Sequence, residues 1–77
     1  MVINPGFPKE WIFFSDVKDA VAYAATGIFL TGYEICHDTL VECLGERLAY
    51  ANIVEDSYTA AVMQQAINLL EEHRGHR

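Results

Sequence analysis

Positive charge is scarce in this chain. Five lysines and arginines stand against eleven aspartates and glutamates, giving a formal net charge of -6 at pH 7 and a pI near 4.7. That balance disfavours direct binding to nucleic acid or to an anionic membrane surface, and it favours a basic partner. Cysteine is scarce too, with only Cys36 and Cys43, and the sequence contains no CxxC and no HxxxH pair. A structural zinc site wants four soft or imidazole ligands at such spacings. On one helix, seven residues separate two Cα atoms by about 10 Å, beyond disulfide reach. Both cysteines are therefore expected as thiols in a reducing compartment, which makes a cytoplasmic protein the expectation.

Proline is confined to Pro5 and Pro8 in the first 14 residues, where Phe7 before Pro8 is biased toward an extended backbone. Long apolar runs are missing as well. No uncharged run exceeds the 14 residues of Ala20 to Tyr33, whereas a membrane helix needs about 18 or more. No N-terminal segment joins a basic region, an apolar stretch and a small-residue cleavage site, so no secretory signal is expected. At 77 residues the chain is one domain, in the size range where a single core is marginal and a partner or a second copy often helps. Apolar residues make up 52% of it, ample for a core.

The spacing of those residues predicts an all-α fold. A small three-helix bundle over residues 15–77 follows an extended, aromatic-rich N-terminal arm over residues 1–14. Phe7, Trp11, Phe13 and Phe14 suit that arm to pack over the helices or onto a second copy, with a short strand at Trp11 to Phe14 as the competing reading. Ser15 is the expected N-cap of a first helix whose face is Val17, Val21, Ala24 and Ile28. That helix ends at Gly27 or runs on to Thr31. Thr31 and Glu34 match a capping box, which starts a second helix near Gly32. It runs to about Leu44, where Gly45 is placed to end it, or on to Tyr50, and it buries Tyr33, Cys36, Leu40, Cys43, Leu44 and Leu48. A third helix, capped by Asp56 or Ser57, buries Tyr58, Val62, Ala66, Leu69, Leu70 and His73 and stops at Gly75.

What is abundant is acid in a repeating position. Glu34, Asp38, Glu42 and Glu46 recur every four residues, with no lysine or arginine beside them at helical spacing within the stripe. Each like-charge pair at that spacing costs an isolated helix roughly 0.2 to 0.5 kcal/mol. The plainer explanation is a solvated helix face that lacks lysines. The functional one is an anionic surface about 18 Å long at 1.5 Å per residue, whose charges step about 6 Å, comparable to phosphates along a nucleic acid strand. Ile35 falls among the acids on the same wheel and reads as an interface anchor.

Other candidates carry less. Cys36, His37 and Cys43 suggest a thiol or metal protein, but on a helix Cys36 and His37 point about 100° apart, which suits no nucleophilic pair. Arg47 falls on the apolar side of the second helix and needs a carboxylate, carbonyls or a partner. His73, Arg74, His76 and Arg77 form a tail suited to a helix C-terminus. Tyr23, Phe29 and Leu30 lie off the main face of the first helix, so that helix is apolar on two sides, which favours a homodimer.

These observations lead to the expectation of a non-enzymatic, acidic protein-interaction module without cofactor or metal. Glu34, Ile35, Asp38, Glu42 and Glu46 would dock a basic protein surface. If that surface binds nucleic acid, the module is an inhibitor by charge mimicry, in the style of small phage-encoded inhibitors. The alternatives are a structural subunit or assembly factor forming an obligate helical oligomer, and a small thiol or metal protein using Cys36, His37 and Cys43.

Overall fold

The period of Val17, Ala20, Ala24 and Ile28 builds the first helix, α1 (Phe14–Thr31), and all four side chains are buried. The computed structural model describes residues 9 to 73, so residues 1–8 of the arm expected over residues 1–14, and the tail from Arg74, lie outside the described residues. A 3₁₀ turn, Lys9–Trp11, leads into α1. Phe13, extended at φ -76 and ψ 130, is the residue before the helix, two residues earlier than the expected Ser15 cap. No strand forms at Trp11 to Phe14. Of these residues only Ile12 packs against the core, while Trp11, Phe13 and Phe14 are exposed. Trp11 closes the 3₁₀ turn and Phe14 already opens α1, so too few extended residues remain between them to form a strand.

The start of α1 is tied down from the far end of the chain. The Tyr58 hydroxyl donates to Asp16 Oδ2 at 2.7 Å and accepts from the Phe13 amide at 3.3 Å. One third-helix side chain thus satisfies both an acid of the first turn and an amide that precedes it.

The expected start of the second helix is corrected. Gly32 is the C-cap of α1, left-handed at φ 87, with its own amide bonded to Phe29 O and that of Tyr33 to Ile28 O. Thr31 turns back into its own helix, donating to Ile28 O at 2.9 Å, so it makes no capping box with Glu34. A glycine that closes a helix in the left-handed region outcompetes a box that would need the chain to restart there. The second helix, α2, is His37–Ile53, with Cys36 as N-cap in an extended conformation. Its box is Cys36 with Thr39: the Cys36 side chain meets the Thr39 amide, and the Cys36 amide donates to Thr39 Oγ1 at 3.0 Å. Tyr33 and Cys36, expected on the buried face, are consequently exposed. Gly45 does not end α2, which continues for two more turns.

A turn through Glu55, at a positive φ of 61, leads to α3 (Ser57–Glu72). Asp56 caps it, accepting from the Thr59 amide at 3.1 Å and the Thr59 hydroxyl at 2.7 Å. Ala60, Val62, Met63 and Ala66 are its buried residues. Ala60 and Met63 join the expected face, and His73 leaves it for solvent. The three helices share one core around Leu44, which is fully buried, with Val17, Ala20, Ala24, Val62, Met63 and Ala66. The packing of α2 against α3 is the most extensive, and α1 lies against both. No described helix is long and apolar enough to cross a membrane.

Candidate functional site

Because Leu44 and Ala51 point α2 into the core, an opposite arc must face solvent. At about 100° per residue, Asp38, Glu42, Glu46, Ala49, Tyr50 and Ile53 fall within roughly 120° of one another. All six are exposed. The stripe found in the sequence is thus present on α2 as three acids, about 12 Å from Asp38 to Glu46 at 1.5 Å per residue. Glu34 and Ile35 are not on the helix. They lie in the linker that precedes it, both exposed, and the Thr39 hydroxyl holds that linker by donating to Glu34 O at 2.8 Å. All five expected site residues therefore reach the surface, three from α2 and two from the linker before it, and Ile35 sits beside Glu34 rather than among the helical acids.

The sequence reading missed the other half of the arc. Beyond Glu46 the face turns apolar through Tyr50 and Ile53, with Val54 at the helix end, all exposed. The signal was available, since Tyr50 continues the four-residue step from Glu46, but Gly45 masked it as an apparent stop. An open groove of about 430 Å³ runs beside this end, bordered by Glu46, Arg47, Tyr50, Val54, Asp56 and Thr59.

Neither lysine nor arginine occupies this arc. The three helices contain two such residues, Lys18 and Arg47, and both lie over aromatic rings of α1. Lys18 Nζ is 5.8 Å from the Phe14 ring centroid, and the Arg47 guanidinium is 4.3 Å from that of Tyr23. Arg47 meets no carboxylate there. Its Nε is buried without a hydrogen-bond partner, and the ring face supplies the attraction instead.

The three groups of the thiol or metal reading are separated by their surroundings. Cys36 is exposed at the start of α2, where the amide and hydroxyl of Thr39 hold its thiol below the ordinary value. The His37 ring is hydrogen-bonded through Nε2 to the Leu70 carbonyl at 2.9 Å, which ties α2 to α3. Cys43 is half-buried against the core. Among the described residues no group of three His, Cys, Asp or Glu side chains is placed to hold a metal ion.

A second uncovered surface belongs to α1. Tyr23, Phe29 and Leu30 are exposed, as is Tyr33 just after the helix, and no charged residue interrupts the chain from Ala20 to Tyr33. Compared with protein-family models, with curated proteins and with solved structures, the chain matches none.

Proposed function

We propose that this chain is a non-enzymatic interaction module that docks the outer face of α2 onto a basic surface of another protein. One observation carries the reading: Asp38, Glu42 and Glu46 stand in line on an exposed arc while both helical cations are held over aromatic rings elsewhere. Glu42 and Glu46 form a like-charge pair at the four-residue step that costs the helix stability, and a cationic partner would offset it. Tyr50 and Ile53 at one end, and Ile35 at the other, supply apolar contacts of the kind that anchor an interface whose charges set register and approach. Where the basic surface is one that holds a nucleic acid backbone, the carboxylates take the place of phosphates and the module inhibits by occupying it. The two free thiols suit a reducing compartment, so the setting we favour is the cytoplasm.

The test is affinity capture from host-cell lysate with wild type beside the Asp38→Lys, Glu42→Lys, Glu46→Lys variant, at low and moderate salt. Carbodiimide coupling follows, joining carboxylates to a partner's lysines. A protein held only by wild type, released by salt as screening requires and coupled through these acids, supports the reading. Equal capture by both chains reduces the stripe to a solvated face.

A further inference from the structure

We propose that the uncharged face of α1 is a self-association surface that pairs antiparallel with α1 of a second copy, about a two-fold axis beside Thr26. This inference is independent of the α2 reading. The outward arc of α1 places Ala22 and Thr26 along its middle, flanked by Phe29 on one side and by Tyr23 and Leu30 on the other. Small groups on the centre line let two backbones approach, and the large groups close over the seam. Thr26 does not demand water there, because its hydroxyl already donates to Ala22 O at 2.9 Å.

Area points to a second copy. Tyr23, Phe29, Leu30 and Tyr33 are 65%, 70%, 75% and 72% exposed. At 150 to 250 Å² per aromatic side chain, these four leave roughly 500 to 600 Å² uncovered. A stable pair needs about 800 Å² per partner, and Ala22, Thr26 and the Lys18 stem, exposed on the same arc, add to the area of the four large side chains. A patch of this size stands at the upper end of what a lone chain exposes, where patches are often contact sites.

Charge fixes the register. The uncharged exposed face runs from Ala22 to Leu30, so pairing about its midpoint, Thr26, gives the greatest apolar overlap. Leu30 then lies against Tyr23 of the second copy and Phe29 over its Ala22. The same register brings the first half of one α1, with Lys18 and Asp19 outward, to the end of the other, where Tyr33 and Glu34 leave the helix after its Gly32 cap. Lys18 and Glu34 are groups of fitting charge at that junction, which occurs twice by symmetry. Arg47 contributes by covering one side of the Tyr23 ring, which leaves the other for the partner. The acidic arcs of α2 project from a different side of each bundle, so a chain of net charge -6 pairs without stacking its acids.

Sedimentation equilibrium over a concentration series tests this on the full chain. Wild type is expected at twice the 8.7 kDa chain mass, and Leu30→Glu at the single mass with unchanged helical circular dichroism. Ile53→Glu, an equally exposed position on α2, keeps the double mass. Lys18→Glu raises the dissociation constant about ten-fold or more, because the repulsion acts twice, and adding Glu34→Lys restores it. A wild type of single mass throughout overturns the proposal. So does a pair that Ile53→Glu disrupts and Leu30→Glu does not, which would put the contact on α2. Loss without rescue in the charge exchange overturns the antiparallel register.

Discussion

The Arg47 guanidinium lies 4.3 Å from the centroid of the Tyr23 ring, and its Nε is buried with no hydrogen-bond partner. The one strong cation of α2 is thereby removed from the acidic arc and used to hold an α1 ring in place. A stacked cation contributes about 0.5 to 2 kcal/mol depending on desolvation, against which the orphaned Nε counts. Arg47→Ala is therefore expected to lower stability by about 1 to 2 kcal/mol through lost packing as well as lost charge. Arg47→Met retains the methylene stem and removes the orphan, so it should stay within about 1 kcal/mol of wild type. Urea denaturation of the two variants separates these outcomes. Equal losses would mean that the charge itself, and not the stem, holds the helices together.

A second prediction concerns the start of α2. Thr39 accepts from the Cys36 amide, lies 3.6 Å from its sulfur and donates to Glu34 O. With the thiol held below its ordinary value chiefly by the Thr39 amide and then by its hydroxyl, Cys36 should be alkylated faster near neutral pH than an unstructured cysteine. Cys43, half-buried, should react slowly. Thr39→Val removes the hydroxyl contribution and slows Cys36 several-fold while leaving Cys43 unchanged, as peptide mapping after timed alkylation would report. If Cys36 in Thr39→Val keeps its rate, the hydroxyl plays no part in activating the thiol.

The three-helix architecture was legible because the apolar faces of α1 and α3 repeat at 3.6 residues and Asp56 is a strong cap. What misled the reading was local competition at glycine. Thr31 with Glu34 and Gly32 both fit a boundary, and Gly32 won by closing α1, which moved Glu34 and Ile35 off the helix. A cysteine N-cap is not among the usual capping residues, so the true start of α2 left no sequence signal. Gly45 looked like a stop, yet Leu48 and Ala51 continue the inward face beyond it and carry the helix to Ile53. The acidic line was readable from spacing alone. The inward turn of Arg47 was anticipated as a need for a partner, but only the fold brings Tyr23 to meet it.

The glycines therefore predict substitutions of opposite sign. Gly27 and Gly45 are within helices, and a Cβ on either would meet nothing within 4 Å. Gly27→Ala and Gly45→Ala should each stabilise by roughly 0.5 to 1 kcal/mol, a rise in Tm of several degrees for a domain of this size. Gly32, at φ 87, has equal space but the wrong backbone for an L side chain. Gly32→Ala should destabilise by about 1 to 2 kcal/mol, and Glu55→Gly, at the positive φ of 61, should gain part of that amount. Thermal melts of the four variants give the comparison. A stabilising Gly32→Ala would show that α1 does not close in the left-handed region.

Stability should also fall at both ends of the pH scale, for separate reasons. The Thr59 hydroxyl and amide hold Asp56 below its ordinary 3.8. That contribution is present above the unfolded value and is lost as pH falls through the lower folded one. Asp56→Asn keeps a good cap without the titration and should flatten the acid flank. Tyr58 is raised above 10.0, chiefly by its bond to the Asp16 carboxylate. Its contribution is present below the unfolded value and disappears as pH rises through the folded one. Tyr58→Phe should lower stability across the neutral range and remove this alkaline loss. Urea midpoints measured against pH for the three proteins test both signs. An acid flank unchanged by Asp56→Asn would assign the acid loss to other carboxylates.

The middle acid of the α2 line links stability to recognition. Glu42 stands four residues from both Asp38 and Glu46, on an exposed arc that carries no lysine or arginine. Glu42→Gln removes the like-charge pair with Glu46 at little cost in helix propensity, so at low salt it should stabilise the fold by about 0.2 to 0.5 kcal/mol. In 1 M salt, where the screening length is about 3 Å, the gain should largely vanish. If the arc docks a basic surface, the same substitution should weaken capture of that partner, and most strongly at low salt. Stability and binding then move in opposite directions through one side chain, as expected of charges retained for a partner rather than for the fold. A variant that gains stability yet captures as well as wild type would identify the line as a solvated face. One that gains nothing at low salt would show that the fold already neutralises these acids.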